Sequence, residues 1–242
     1  MKNSLNTFIL GVTIIVAVLI LARTYQHRNK SDNIISVKGL GEKDFVSDLI
    51  VWSAHFNKKS MELSDAFELL KTDREAIRTY LTGKGVNPDE IVFSSVDISN
   101  EFDYYYDNHD NRHSTFTGYR LSQDLQIESN EVDKIEQISR EVTELINQGI
   151  TLESYAPQYY YTKLSELKIE MIAAATQDAT LRAEKIAENA DADLGSLRKG
   201  SMGIFQIIAQ NSNEDYSWGG TFNTSSKRKT ATITMQLTFA ID

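Results

Sequence analysis

Apolar and polar positions follow several distinct rhythms along the chain. Ile35 and Val37 alternate with polar residues ahead of Gly39-Leu40-Gly41, and residues 45–56 are rich in β-branched and aromatic side chains. Both are strand compositions, and the Gly-rich stretch between them predicts an antiparallel hairpin turning at residues 41–44. Residues 60–83 switch to helical spacing, with Ala66, Leu69, Leu70, Ile77 and Leu81 on one face and Ser60 or Ser64 as a cap. Residues 91–102 and 115–127 read as strands on either side of a polar, aromatic loop at 103–114. Val132, Ile135, Ile138, Val142, Leu145 and Ile146 form one stripe of a helix over 131–148, which Gly149 stops. A Tyr-rich strand at 150–161 precedes the longest helix, 163–190, whose stripe is Ile169, Ile172, Thr176, Ala179, Ala183, Ile186 and Ala190. Strands at 202–210 and 230–241 close the chain. In the last, Ala231, Ile233, Met235, Leu237, Phe239 and Ile241 share one face.

The predicted order is β-β-α-β-β-α-β-α-β-β. It implies an α+β fold, a mixed and largely antiparallel sheet with helices packed on one face. Such a sheet carries its polar alternates on the open face.

The first thirty residues differ from this pattern. Residues 7–22 are uncharged and dominated by Ile, Leu and Val. With Leu5, Asn6 and a snorkelling Arg23 they approach the roughly 20 residues that a membrane span needs. Ala22-Arg23-Thr24-Tyr25 is a poor cleavage context for a secretory signal, so residues 1–30 are expected to be an uncleaved anchor and tether ahead of a body at 31–242. Lys2 and the amino terminus on one side nearly balance Arg23, Arg28 and Lys30 on the other.

Charge and composition exclude several classes. Residues 1–30 hold four basic and no acidic residues, which leaves 21 basic against 34 acidic over 31–242. An acidic body disfavours nucleic acid, because that affinity comes from Lys and Arg displacing phosphate counterions. Without cysteine there is no disulfide framework, thiolate metal site or thiol nucleophile. Strand alternation puts Ser53 and His55 on one face and Asp48 on the other, so these three form no triad. No nucleophile–base pair follows from spacing, and no cofactor is implied.

Two clusters remain. Asp103, Asp107, His109, Asp110 and His113, with Glu101 just before them, combine imidazole and carboxylate, a donor set that suits a first-row metal. The same composition is that of a solvated turn. Tyr104, Tyr105 and Tyr106 and, further on, Tyr155, Tyr159, Tyr160 and Tyr161 are rows whose placement on adjacent strands would make a contact groove.

Three stretches resemble the SIMPL domain family of bacterial envelope proteins. Ile35-x-Val37-x-Gly39-x-Gly41 followed by Asp48-Leu49-Ile50-Val51 is similar to its opening strand and the Asp that leads its second strand. Gly118-Tyr119-Arg120-Leu121 through Leu125 is similar to its central strand. Ala173–Ala175, Asp178-Ala179, Ala183, Ile186-Ala187 and Leu194-Gly195-Ser196-Leu197 are similar to its Ala-rich helix and the exit from it. Val46-Ser47 stand where the family usually has a Pro before the Asp, and Gly149-Ile150-Thr151 departs from its middle loop. The N-terminal anchor replaces the cleaved signal of many members and is expected to span the inner membrane, while the resemblance implies an extracytoplasmic body, here in the periplasm, and a non-catalytic oligomerising or partner-binding role linked to oxidative-stress tolerance. The expected partners are the membrane, further copies of the chain and other envelope proteins. The alternative is a small-ligand or metal-binding protein using the 103–113 loop.

Overall fold

The computed structural model describes residues 11–22, 33–107, 109–214, 217 and 219–241. The architecture is α+β, with helices packed on largely antiparallel strands. The strands form two sheets rather than the one expected. In the first, β1 (Ile34–Val46) pairs with β10 (Arg228–Ile241), whose other edge carries β8 (Leu194–Met202) and β9 (Gln206–Ala209). In the second, β2 (Leu49–Ser60) and β5 (Arg112–Ser129) are central. β3 (Ile91–Phe93) and β4 (Asp97–Tyr106) flank β5, while β6 (Leu152–Ser154) and β7 (Gln158–Tyr160) flank β2.

The expected hairpin of the first two strands does not form. β1 runs through residues 41–44 and pairs along its whole length with β10, Ile35 opposite Phe239 and Gly41 opposite Ile233. Ser47 and Asp48 then carry the chain from one sheet to the other. The glycines serve a different purpose from a turn. A Cβ on Gly39 would stand 2.1 Å from the Ala175 carbonyl oxygen and 2.4 Å from the Ala179 nitrogen, and one on Gly41 would stand 2.4 Å from the Met171 carbonyl oxygen. Helix α4 (Leu164–Asn189) therefore lies on β1 with backbone against backbone.

That contact also fixes which face of α4 is buried. Leu167, Met171, Ala175, Ala179, Ala183 and Ala187 line it, whereas Ile169 is 70% exposed and Ile186 51%. The stripe read from hydrophobicity agrees at Ala179 and Ala183 and is otherwise displaced around the helix. Small residues face the glycine strand because nothing larger fits there. The core face of β10 is the one its alternation predicts, with Ala231, Ile233, Leu237 and Phe239 buried.

The second sheet is covered by large side chains. Ile50, Trp52 and Phe56 of β2 and Leu121, Leu125 and Ile127 of β5 are at most 1% exposed. Leu70, Ile77 and Leu81 of α2 (Leu63–Gly83) and Ile135 of α3 (Val132–Glu141) pack on them. Leu69 of the predicted α2 stripe is exposed, and Ser60 accepts from the Glu62 amide instead of capping the helix directly. The helix expected over 131–148 tightens into a 3-10 segment at Val142–Gln148, and Gly149 ends it at φ 75°. The Tyr-rich strand is interrupted between Ser154 and Gln158, where Pro157 supplies no amide donor. β8 was not expected, because its polar sequence is exposed for most of its length.

Residues 11–22 form a helix, α1, whose residues 12–22 are all exposed. Among the described residues no helix is long and apolar enough to cross a membrane. The span expected at 7–22 lies partly outside the described residues, and so does the tether after it.

Candidate functional site

The strands β4 and β5 continue well past the rest of their sheet. β2 ends opposite Tyr119, so residues 112–118 of β5 pair with β4 alone. At the base, the register shifts between Glu101 and Phe102. Gly118 sits there at φ 127°, where a Cβ would stand 2.5 Å from the Ser60 carbonyl oxygen. A bulge of this kind bends and re-aims a strand pair. Arg120 secures the base. It donates from Nε (2.8 Å) and Nη2 (3.0 Å) to the two carboxylate oxygens of Glu101, and from Nη1 to Asn57 (3.1 Å). The paired guanidinium holds the Glu101 carboxyl below its ordinary value.

Beyond the bulge the two strands form an arm that the expected 103–114 loop had concealed. β4 runs to Tyr106 and β5 begins at Arg112. Asp107 organises the connection between them by accepting from the amides of His109 (2.8 Å) and Asn111 (3.0 Å), from the Asn111 side chain (3.1 Å) and from His113 Nε2 (3.0 Å). These bonds, His113 first, hold the Asp107 carboxyl well below the usual carboxylate range. Asp110 takes the left-handed position at φ 64°. The structure thus brings Asp107 and His113 together. Asp103 lies opposite Thr115, four positions back along β4. Among the described residues, no group of three or more His, Asp and Glu side chains is placed to hold a metal ion.

The aromatic residues of the arm face solvent. Tyr104, Tyr105 and Tyr106 are 56%, 55% and 65% exposed, and Phe102 is 41% exposed. They are held by local stacking. The Arg112 guanidinium lies 4.0 Å from the centre of the Tyr104 ring, Tyr105 stacks on His113 at 5.2 Å, and Phe102 meets Phe116 edge-on at 5.6 Å. Neither face of the arm is covered by the chain's own core.

The second tyrosine row is elsewhere and is mostly structural. Tyr159 is buried in the core of the second sheet, and Tyr161 packs on Phe45 at 4.7 Å. Tyr160 is 37% exposed and donates to Gln158. β7 lies on β2 and β4 on β5, so the two rows do not share adjacent strands. His55 bonds Asp124 across the sheet at 2.8 Å, while Asp48 accepts from the amide and hydroxyl of Thr162. Lys229 belongs to the basic run Lys227-Arg228-Lys229, whose charge reads in the sequence as a solvated strand edge, and the structure corrects that reading for this residue. It is 3% exposed at the joint of the sheets and donates to the Tyr159 carbonyl at 2.5 Å. Burial pushes its pKa down to about 8.

A family model matches residues 35–239, that of SIMPL, described as a protein of unknown function (DUF541). No curated protein matches the chain. The matched residues run from the second residue of β1 to near the end of β10, and so take in both sheets and the arm.

Proposed function

The chain belongs to the SIMPL family, and from that premise we propose a non-catalytic envelope protein that assembles with further copies of itself through the β4–β5 arm. Its N-terminal segment anchors it in the inner membrane and its body faces the periplasm. The apolar run at 7–22 and the helical, exposed residues 12–22 support the anchor. The link to stress tolerance rests on the family resemblance.

One observation carries the contact role. A two-stranded ribbon with neither face covered is only marginally stable in water. This one nonetheless places three consecutive tyrosines at more than half exposure. Tyrosine gives large contact area at small cost in side-chain entropy, and interface cores are enriched in it. An anchor would also hold copies in one membrane plane and raise their effective concentration.

The test is the native mass of the full chain in detergent by light scattering. A closed, concentration-independent oligomer is expected, reduced to monomer by the double substitution Tyr104→Ser and Tyr106→Ser with less than about 0.5 kcal/mol change in stability, as for exposed positions generally. A wild-type monomer at all concentrations overturns the reading. So does an oligomer indifferent to the arm.

A further inference from the structure

The face of the second sheet that turns away from α2 and α3 holds a cleft of about 520 Å³. Its floor is Val51 and Ser53 of β2, with Gln126 of β5 on one side and Gln158 and Tyr160 of β7 on the other. The remaining wall is the link between β6 and β7. Ser154 pairs with Ala54 and Gln158 with Val51, so three residues of the link stand against two of β2. The extra residue takes the link out of the regular ladder, and Tyr155 closes the cleft. We infer that this cleft binds a neutral saccharide, a ligand that offers an apolar ring face edged with hydroxyls.

Three observations point to that chemistry. First, the rings are unused. Tyr155 and Tyr160 are exposed, and among the described residues neither ring stacks on another aromatic ring or carries a cation. Tyr104 and Tyr105 of the arm, by contrast, are both stacked. An aromatic face is apolar and slightly negative, and the C–H groups on the face of a sugar ring are its complement.

Second, the polar groups have bonding capacity left over. Among the described residues the Ser53 and Tyr155 hydroxyls and the Gln126 side-chain amide have no hydrogen-bond partner. Gln158 accepts from the Tyr160 hydroxyl at 2.6 Å, which leaves its two N–H donors free. Hydroxyls and primary amides both donate and accept, as sugar hydroxyls do. A carboxylate or an ammonium ligand would use only one sense of each.

Third, the charges exclude an anion. The lining contains no charged residue, and the same face is acidic at both ends, with Glu128 opposite Val51 and Glu153 opposite His55. An anionic ligand would meet like charge with no cation in the cleft. A cation could sit over the tyrosine rings, but it would leave the amides and hydroxyls without a partner. The volume lies within the roughly 300–1,000 Å³ of small-molecule sites.

Isothermal titration calorimetry of the full chain, in a detergent without a sugar headgroup, tests this with cellotriose, tri-N-acetylchitotriose and choline. Saturable heat with at least one oligosaccharide is expected, and none with choline. Tyr155→Ala should weaken saccharide binding about tenfold through the lost ring face. Gln126→Ala should weaken it about fivefold, the worth of one neutral hydrogen bond. Both side chains are exposed, so neither substitution opens the core. Absence of saturable heat with both oligosaccharides overturns the proposal. So does choline binding that Tyr155→Ala abolishes, because the cleft is then a cation site. Saccharide binding unchanged in both variants overturns it as well, by placing the sugar elsewhere.

Discussion

The two sheets solve the same packing problem in opposite ways. The second sheet is covered by bulk: Trp52, Phe56, Leu70, Ile77 and Leu125 fill the space between strands and helices. The first is covered by proximity: α4 meets β1 through Met171, Ala175 and Ala179 over Gly39 and Gly41, with no room for a side chain between the two backbones. Burial alone does not distinguish them, since Trp52 and Ala179 are both fully buried. Clearance does. A core of large side chains is injured by removing atoms, and a core of bare backbone is injured by adding them.

The largest expected effect tests the first half of that contrast. Trp52→Ala should cost about 3–5 kcal/mol in denaturant unfolding, since it opens a cavity in the second sheet. It also removes the bond that Trp52 Nε1 donates to the Ser154 hydroxyl at 3.0 Å, and that hydroxyl keeps its own donation to the Ser139 carbonyl. A cost below about 1 kcal/mol would mean that this core collapses around the hole.

Next comes the addition of one carbon. Gly39→Ala should destabilise by about 1–3 kcal/mol, because the obstacle is the main chain of α4 and cannot rotate away. The control is Gly83→Ala at the end of α2, where a Cβ meets nothing within 4 Å. There the same substitution should stabilise by up to about 1 kcal/mol through helix propensity. Equal effects at the two glycines would remove the distinction between the sheets.

The smallest effect lies at the joint between them. Lys229 has its pKa lowered to about 8 by burial, against an ordinary value near 10.4. Between those values the unfolded chain holds a proton that the folded one has released, so stability rises with pH across that window. The rise should be about 1 kcal/mol, less than the full shift implies, because the Tyr159 carbonyl still solvates the ammonium. Lys229→Met should flatten the profile between pH 8 and 10. A rise that survives the substitution would assign it to another group.

Much of this was legible in the residues. The alternation of β10, the stripe of α3 and the α+β class all follow from spacing. The partner of β1 did not, because pairing across nearly two hundred positions leaves no local trace and the glycines imitate a turn. The face of α4 was misread for a related reason: hydrophobicity favours Ile169 and Ile186, whereas the neighbour admits only alanine. The arm was hidden because strands with two wet faces lack the alternation that marks a strand.

The pairing of β1 with β10 also sets a timetable. As the chain is made, β2 through β7 can find one another early, because every partner in the second sheet lies within residues 49–160. β1 has thirteen residues and no strand partner until residues 228–241 emerge. The first strand synthesised is therefore the last to be satisfied, with both of its edges open in the meantime. A ribosome that stalls before residue 228 leaves a half-built molecule whose second sheet is complete and whose β1 is free to join any strand it meets.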